Sequence, residues 1–217
     1  MILRQKEMIM KRTCLIITGA PQCYIPPAVR NADYVIACDQ GYLHAVRAGI
    51  VPDLAVGDFD SYSGRIAAGI AVEKSDPVKD DTDTFLAMRA AMKKGYTDLI
   101  ICGALGGRID HELANISLCG YAAEHDIRCT LVDSNHQIFA FRNGTRRISR
   151  GKWTNLSVFA MDRVVKGVTL SGLRYPLVDA ELTNTFPLGV SNEFTADQAV
   201  VSVREGMLLI ILSDQSS

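Results

Sequence analysis

The sequence has no Cys-x-x-Cys pair among its six cysteines and no His-x-x-x-His among its four histidines, which removes the common zinc patterns. It also has no Gly-x-x-x-x-Gly-Lys-Ser/Thr, so it is not a P-loop protein, and Gly103 to Gly107 does not fit Gly-x-Gly-x-x-Gly. No charge of one sign dominates: 23 Lys and Arg face 24 Asp and Glu, a formal net charge of −1, so the basic field that nucleic-acid binding needs is missing. No apolar run approaches the roughly 18 residues of a membrane span. Met1 to Arg12 carries basic residues but no continuous apolar segment ahead of a small-residue cleavage site, so it is read as a ragged start rather than a signal peptide. Four cysteines sit inside apolar, strand-like runs, as buried, reduced thiols do, which fits a cytoplasmic compartment. The expectation is a soluble protein with neither nucleic acid nor membrane as partner.

What is present is an alternation of short apolar runs and helical stretches. Strands are expected at Thr13–Thr18, Tyr34–Cys38, Leu54–Val56, Ile70–Val72, Asp98–Cys102 and Arg128–Val132. Helices are expected at Gln40–Ala48, at Tyr62–Ala68, from Thr82 to the stop at Gly95 with Phe85, Met88 and Met92 on one face, and from about Asp110 with Leu113, Ile116, Gly120 and Ala123 on one side. Such alternation argues a Rossmann-like parallel sheet in an α/β N-terminal domain, with ligands outside the carboxyl ends of its strands. After Asp133 the helical period vanishes. Short strands at Gln137–Phe141, Thr145–Ile148, Leu156–Ala160 and Val164–Leu170 follow, and Ala199–Val203 and Met207–Leu212 read as a closing hairpin turned by Arg204-Glu205-Gly206. The expected division is residues 1–135, an α/β nucleotide- and metal-binding domain, and residues 136–217, an all-β sandwich.

The chemistry concentrates in two acidic loops. Val56-Gly57-Asp58-Phe59-Asp60-Ser61 places two carboxylates one residue apart after an apolar run, and Lys79-Asp80-Asp81-Thr82-Asp83 follows about one strand and helix later. Two like charges about 4 Å apart repel by about 4 kcal/mol at an effective dielectric near 20, so acids that converge need a divalent cation or protonation. Oxygen-only ligands point to Mg2+. A third motif, Gly103-Ala104-Leu105-Gly106-Gly107-Arg108 leading into a helix, offers backbone N–H groups, a guanidinium and a helix dipole to an anion. A phosphate site facing a magnesium site is the equipment of phosphoryl transfer.

With these residues in place, the chain resembles the thiamine pyrophosphokinase family over nearly its whole length. The resemblance is carried by Gly57-Asp58-Phe59-Asp60-Ser61, Asp80-Asp81-Thr82-Asp83, Gly106-Gly107-Arg108-Ile109-Asp110-His111 with Asn115, and Gly189-Val190-Ser191-Asn192. It implies transfer of a diphosphoryl group from ATP to the hydroxyl of thiamine, giving thiamine diphosphate and AMP. It also implies a homodimer whose active site lies between the α/β domain of one subunit and the sandwich of the other. By the same resemblance, Asp58, Asp60, Asp81 and Asp83 would hold Mg2+, and Asp58, Asp60, Asp83, Arg108 and Asp110 would be catalytic. Asp39, Ser61, Lys79, Asp80, Thr82, Gly106, Gly107, Arg108, His111 and Asn115 would meet ATP, and Tyr175, Ser191 and Asn192 would meet thiamine. The general base stays open between Asp110 and the loop aspartates. One departure is Gln40 in Asp39-Gln40-Gly41, where many relatives carry glycine. Two rivals are a haloacid-dehalogenase-type phosphatase with Asp58 as nucleophile, whose acidic pair should lie farther along the chain, and a ligand sensor without turnover. Trp153 is read as packing.

Overall fold

The computed structural model describes residues 12–58, 66–74 and 81–214. Six short strands, β1 (Thr13–Ile17), β2 (Tyr34–Cys38), β3 (Leu54–Gly57), β4 (Ala71–Lys74), β5 (Asp98–Cys102) and β6 (Arg128–Val132), pair in parallel in the order β4-β3-β2-β1-β5-β6. Their continuous apolar sequences, such as Cys14 to Ile17 and Val35 to Cys38, are buried on both faces. Helices α1 (Gly41–Arg47), α2 (Asp83–Lys93) and α3 (Ile109–Glu124) connect them. One face packs Ile16, Ile36 and Ile101 against Met88, Ala87 and Ala91 of α2 and Cys119 and Ala122 of α3. The other packs Leu15, Ile17 and Val35 against Ala45 of α1 and Ile25. Leu113 does not join the buried stripe of α3: it is 59% exposed, and Asn115 takes the inward position.

The antiparallel remainder is β7 (His136–Ser149), β8 (Asn155–Ala160), β9 (Val164–Ser171), β10 (Leu177–Thr183), β11 (Asn192–Glu193) and β12 (Gln198–Ser213). It continues the parallel part without a break: β7 pairs with β6, β12 with β7, and the twelve strands form one mixed sheet. Two sequence expectations are corrected here. Gln137–Phe141 and Thr145–Ile148 are one strand, β7, and the supposed closing hairpin is one strand, β12. Gly206, at φ +112°, makes a bulge instead of a turn, and the register shifts between Val203 and Met207. The N–H groups freed there are met by side chains, Gly206 N donating to Asn143 Oδ1 at 2.9 Å and Met207 N to Asp162 Oδ2 at 3.0 Å. At the bulge β12 changes partner, from β9 before it to β8 after it.

Alternation along β12 then serves two cores at once. Met207 and Leu209 face the core under α3, whereas Leu208, Ile210 and Leu212 face a second core with Leu156, Val158, Val165 and Leu170. Trp153 packs partly against this second core. The expected helix Tyr62–Ala68 falls mostly outside the described residues, and residues 66–68 within them are not helical. All six cysteines are free thiols. Among the described residues no helix is long and apolar enough to cross a membrane.

Candidate functional site

The loops after β1, β2, β3 and β5 leave the parallel sheet along one rim, because parallel strands present their carboxyl ends together. Three expected aspartates lie there. Asp39 follows β2 at φ 45°, its N–H donating to Val56 O of β3 at 3.0 Å, and its carboxylate lies directly over Gly57. Asp58 follows Gly57. Asp83 opens α2, and its backbone oxygen accepts from Cys38 Sγ at 3.6 Å, which seats this helix start against the end of β2. The rim thus gathers Asp39, Asp58 and Asp83 from neighbouring strand ends.

Two other loop residues are engaged locally. Thr82 is the N-cap of α2, its hydroxyl accepting from Phe85 N at 3.2 Å. Asp81 pairs with Arg89 at 3.0 Å, the arginine largely in solvent and the aspartate about two-thirds covered. Asp60, Ser61, Lys79 and Asp80 lie outside the described residues. Among the described residues no group of three or more His, Cys, Asp or Glu side chains is arranged to hold a metal ion. The donors brought to the rim are carboxylates, the oxygen ligands that a hard cation such as Mg2+ takes.

The glycine-rich turn after β5 is held from three sides. Ala20 N donates to Gly103 O at 2.9 Å, the Thr18 hydroxyl also donates to Gly103 O, and Asn115 Nδ2 donates to Ala104 O at 2.9 Å. Asn115, expected to meet nucleotide, is buried and braces this turn. Beyond the turn, Arg108 grips Asp110 with two bonds, Nε to Oδ1 at 3.1 Å and NH2 to Oδ2 at 2.6 Å. That bond raises the pKa of Arg108 and lowers that of Asp110 below the usual carboxylate range. A carboxylate so held is a weak base while the pair lasts. His111 is exposed, and its N–H donates to Asp110 Oδ1 at 3.0 Å. Sequence reasoning missed Thr18 and Glu112, whose Oε1 accepts from both Gly106 N and Gly107 N. A carboxylate four residues beyond the helix cap was the available signal for Glu112.

The second group sits on the antiparallel part. Asn192 is 2% exposed and spends its amide on the main chain of Tyr175, accepting from Tyr175 N at 2.9 Å and donating to Tyr175 O at 2.7 Å. The main chain of Tyr175 is thereby fixed while the residue stays 59% exposed, with Arg174 Cζ 5.7 Å from the ring centre. Ser191, at φ 56°, donates its N–H to Ser157 Oγ of β8 at 2.9 Å. The sheet order places β6, β7 and β12 between β5 and β8, a contour of about 20 Å at about 4.8 Å per strand. The two groups therefore belong to separate stretches of the sheet.

Two family models match the chain: the thiamin pyrophosphokinase catalytic domain over residues 26–131 and the thiamin pyrophosphokinase vitamin B1 binding domain over residues 145–208. Thiamine pyrophosphokinase of Bacillus subtilis (strain 168) is 32% identical over 213 residues, covering 93% of this chain and 99% of that protein. The crystal structure of the Bacillus subtilis enzyme superposes with a TM-score of 0.86 at 30% identity, covering 94% of this chain and 99% of that one. That of thiamin pyrophosphokinase from Geobacillus thermodenitrificans gives 0.83 at 26% identity, with coverage of 94% and 99%.

Proposed function

The chain belongs to the thiamine pyrophosphokinase family and is an ATP-dependent diphosphotransferase, and we propose a division of its labour between the rim of the parallel sheet and the Tyr175–Asn192 region. The reaction converts thiamine and ATP to thiamine diphosphate and AMP. The thiamine hydroxyl oxygen attacks the β-phosphorus, the bond from that phosphorus to the α–β bridging oxygen breaks, and AMP leaves.

The rim binds the phosphates. Asp58, Asp60 and Asp83, with Asp81 once it leaves Arg89, would hold Mg2+, with Asp80 assisting. When bound, Mg2+ neutralises phosphate oxygens and the charge that spreads over them in the transition state. Gly106, Gly107, Arg108 and Lys79 supply N–H groups and cations to the same oxygens. As Arg108 turns from Asp110 to a phosphate, Asp110 is released from its partner and becomes a better proton acceptor for the thiamine hydroxyl. Asp39, Ser61, Thr82 and His111 surround the nucleotide, and Asn115 braces the turn.

Residues 136–217 form the thiamine-binding domain. The exposed Tyr175 ring offers an aromatic face to the flat thiazolium cation, and Ser191 lies beside the Asn192 that fixes it. Because this region stands about 20 Å along the sheet from the glycine turn after β5, and farther from Asp39 and Asp58, a homodimer that places the two groups of different subunits together completes the site. Exposed apolar side chains mark both faces, Ile109 and Leu113 beside the glycine turn and Phe186, Leu188 and Val190 beside Ser191. The reduced thiols fit a cytoplasmic enzyme.

The observation that carries this reading is that Asp39, beside the Gly57 that precedes Asp58, and the helix start at Asp83, bonded to Cys38, lie on one rim beside a braced glycine turn. The test is incubation with ATP, Mg2+ and thiamine. Equal yields of AMP and thiamine diphosphate are expected. Thiamine and ATP binding without AMP would leave a sensor, and AMP only with a pterin alcohol would move the acceptor to another class.

A further inference from the structure

Gly106 and Gly107 aim their backbone N–H groups at a single oxygen, Glu112 Oε1, at 3.0 and 2.8 Å. Glu112 lies in the first turn of α3, yet its carboxylate reaches backward past Arg108 to residues that precede the helix. It is not closing the helix's own start, where the His111 N–H is met by Asp110. The paired N–H groups assigned above to a phosphate are thus occupied by a carboxylate of the chain itself. We propose that Glu112 is an internal competitor for the nucleotide phosphate, holding the turn in its anion-binding shape without ATP and swinging out when a phosphate arrives. This rests on the turn being the phosphate site. A phosphate oxygen needs the same two donors, and two anions cannot share them without strong repulsion. Apparent affinity for ATP is lowered by the fraction of molecules in which Glu112 still occupies the turn, so a turn that is nine-tenths occupied weakens binding about tenfold.

The experiment is calorimetric titration of the full chain with Mg2+ and ATP, with inorganic diphosphate, and with thiamine. For Glu112→Ala the expected result is binding of ATP and of diphosphate about tenfold tighter, with thiamine affinity unchanged. Glu112→Gln keeps the shape and an acceptor without the charge, and should fall between Ala and wild type. An alanine variant that melts cooperatively but binds ATP no tighter than wild type, or more weakly, overturns the proposal and leaves Glu112 as a tie of the loop. If Glu112→Ala does not fold, Glu112→Gln decides by the same criterion, and failure of both to fold also overturns it. A wild-type chain that binds neither ATP nor diphosphate would instead overturn the phosphate-site reading.

Discussion

Asp39 and Gly57 are fitted to one another: a Cβ on Gly57, whose φ is +147°, would stand 1.9 Å from Asp39 Oδ1. Gly57→Ala must therefore displace the carboxylate or move the end of β3 that carries Asp58. The backbone conformation alone costs about 1–3 kcal/mol for a residue with a side chain. The expected outcome is a melting temperature lower by about 5 °C and turnover reduced far more than that loss of stability explains. Unchanged turnover in Gly57→Ala would show that Asp39 and Asp58 need not hold this arrangement.

Removing one carboxylate from the rim tests the metal reading. Asp58→Asn keeps the shape and loses the charge, so the fold should melt as wild type does while turnover falls about 100-fold or more, the scale on which a single transition-state contact acts. Asp60→Asn should behave alike. Chelation with EDTA should abolish activity in wild type and added Mg2+ should restore it. Full activity in EDTA removes the metal from the mechanism, and full activity in Asp58→Asn removes Asp58 from the metal site.

How much of this was open to sequence reasoning depended on the range of the interaction. The six parallel strands and α1 to α3 announce themselves through local apolar runs and stop signals, and their ends fall within two residues of the expectation. The acids and the glycine turn were visible because loop chemistry is written in consecutive residues. The antiparallel part was misjudged where a glycine has two uses. Gly206 reads as a turn, and only Asn143 and Asp162, distant in sequence, make it a bulge inside β12. Asn115 and Asn192 were expected to touch ligands through the family resemblance, and what only the fold shows is the main chain to which each amide is bonded.

Asn192 yields a prediction that separates positioning from contact. Asn192→Ala removes two hydrogen bonds at a buried position, which costs about 1–3 kcal/mol of stability. It also frees the main chain that presents the Tyr175 ring. The KM for thiamine should rise while the KM for ATP stays as it was, and Tyr175→Phe, which keeps the aromatic face, should bind thiamine nearly normally. Equal rises in both KM values would mean that the substitution disturbs the fold broadly rather than the thiamine region.

The Arg108–Asp110 pair gives a test by pH. The hydrogen bond from Arg108 lowers the Asp110 pKa, so the stabilising contribution of the pair is fully present above the ordinary carboxylate range and is lost as pH falls through the lowered value. Both side chains are exposed, so the readout is the titration of the Asp110 carboxyl carbon by NMR rather than global stability. Arg108→Gln should raise that midpoint toward the usual carboxylate range. Saturating ATP should do the same in wild type, because a guanidinium drawn to phosphate no longer holds Asp110. A midpoint that stays low in the ATP complex would mean that Arg108 keeps its carboxylate, and both the cationic role of Arg108 and the release of Asp110 as proton acceptor would fail with it.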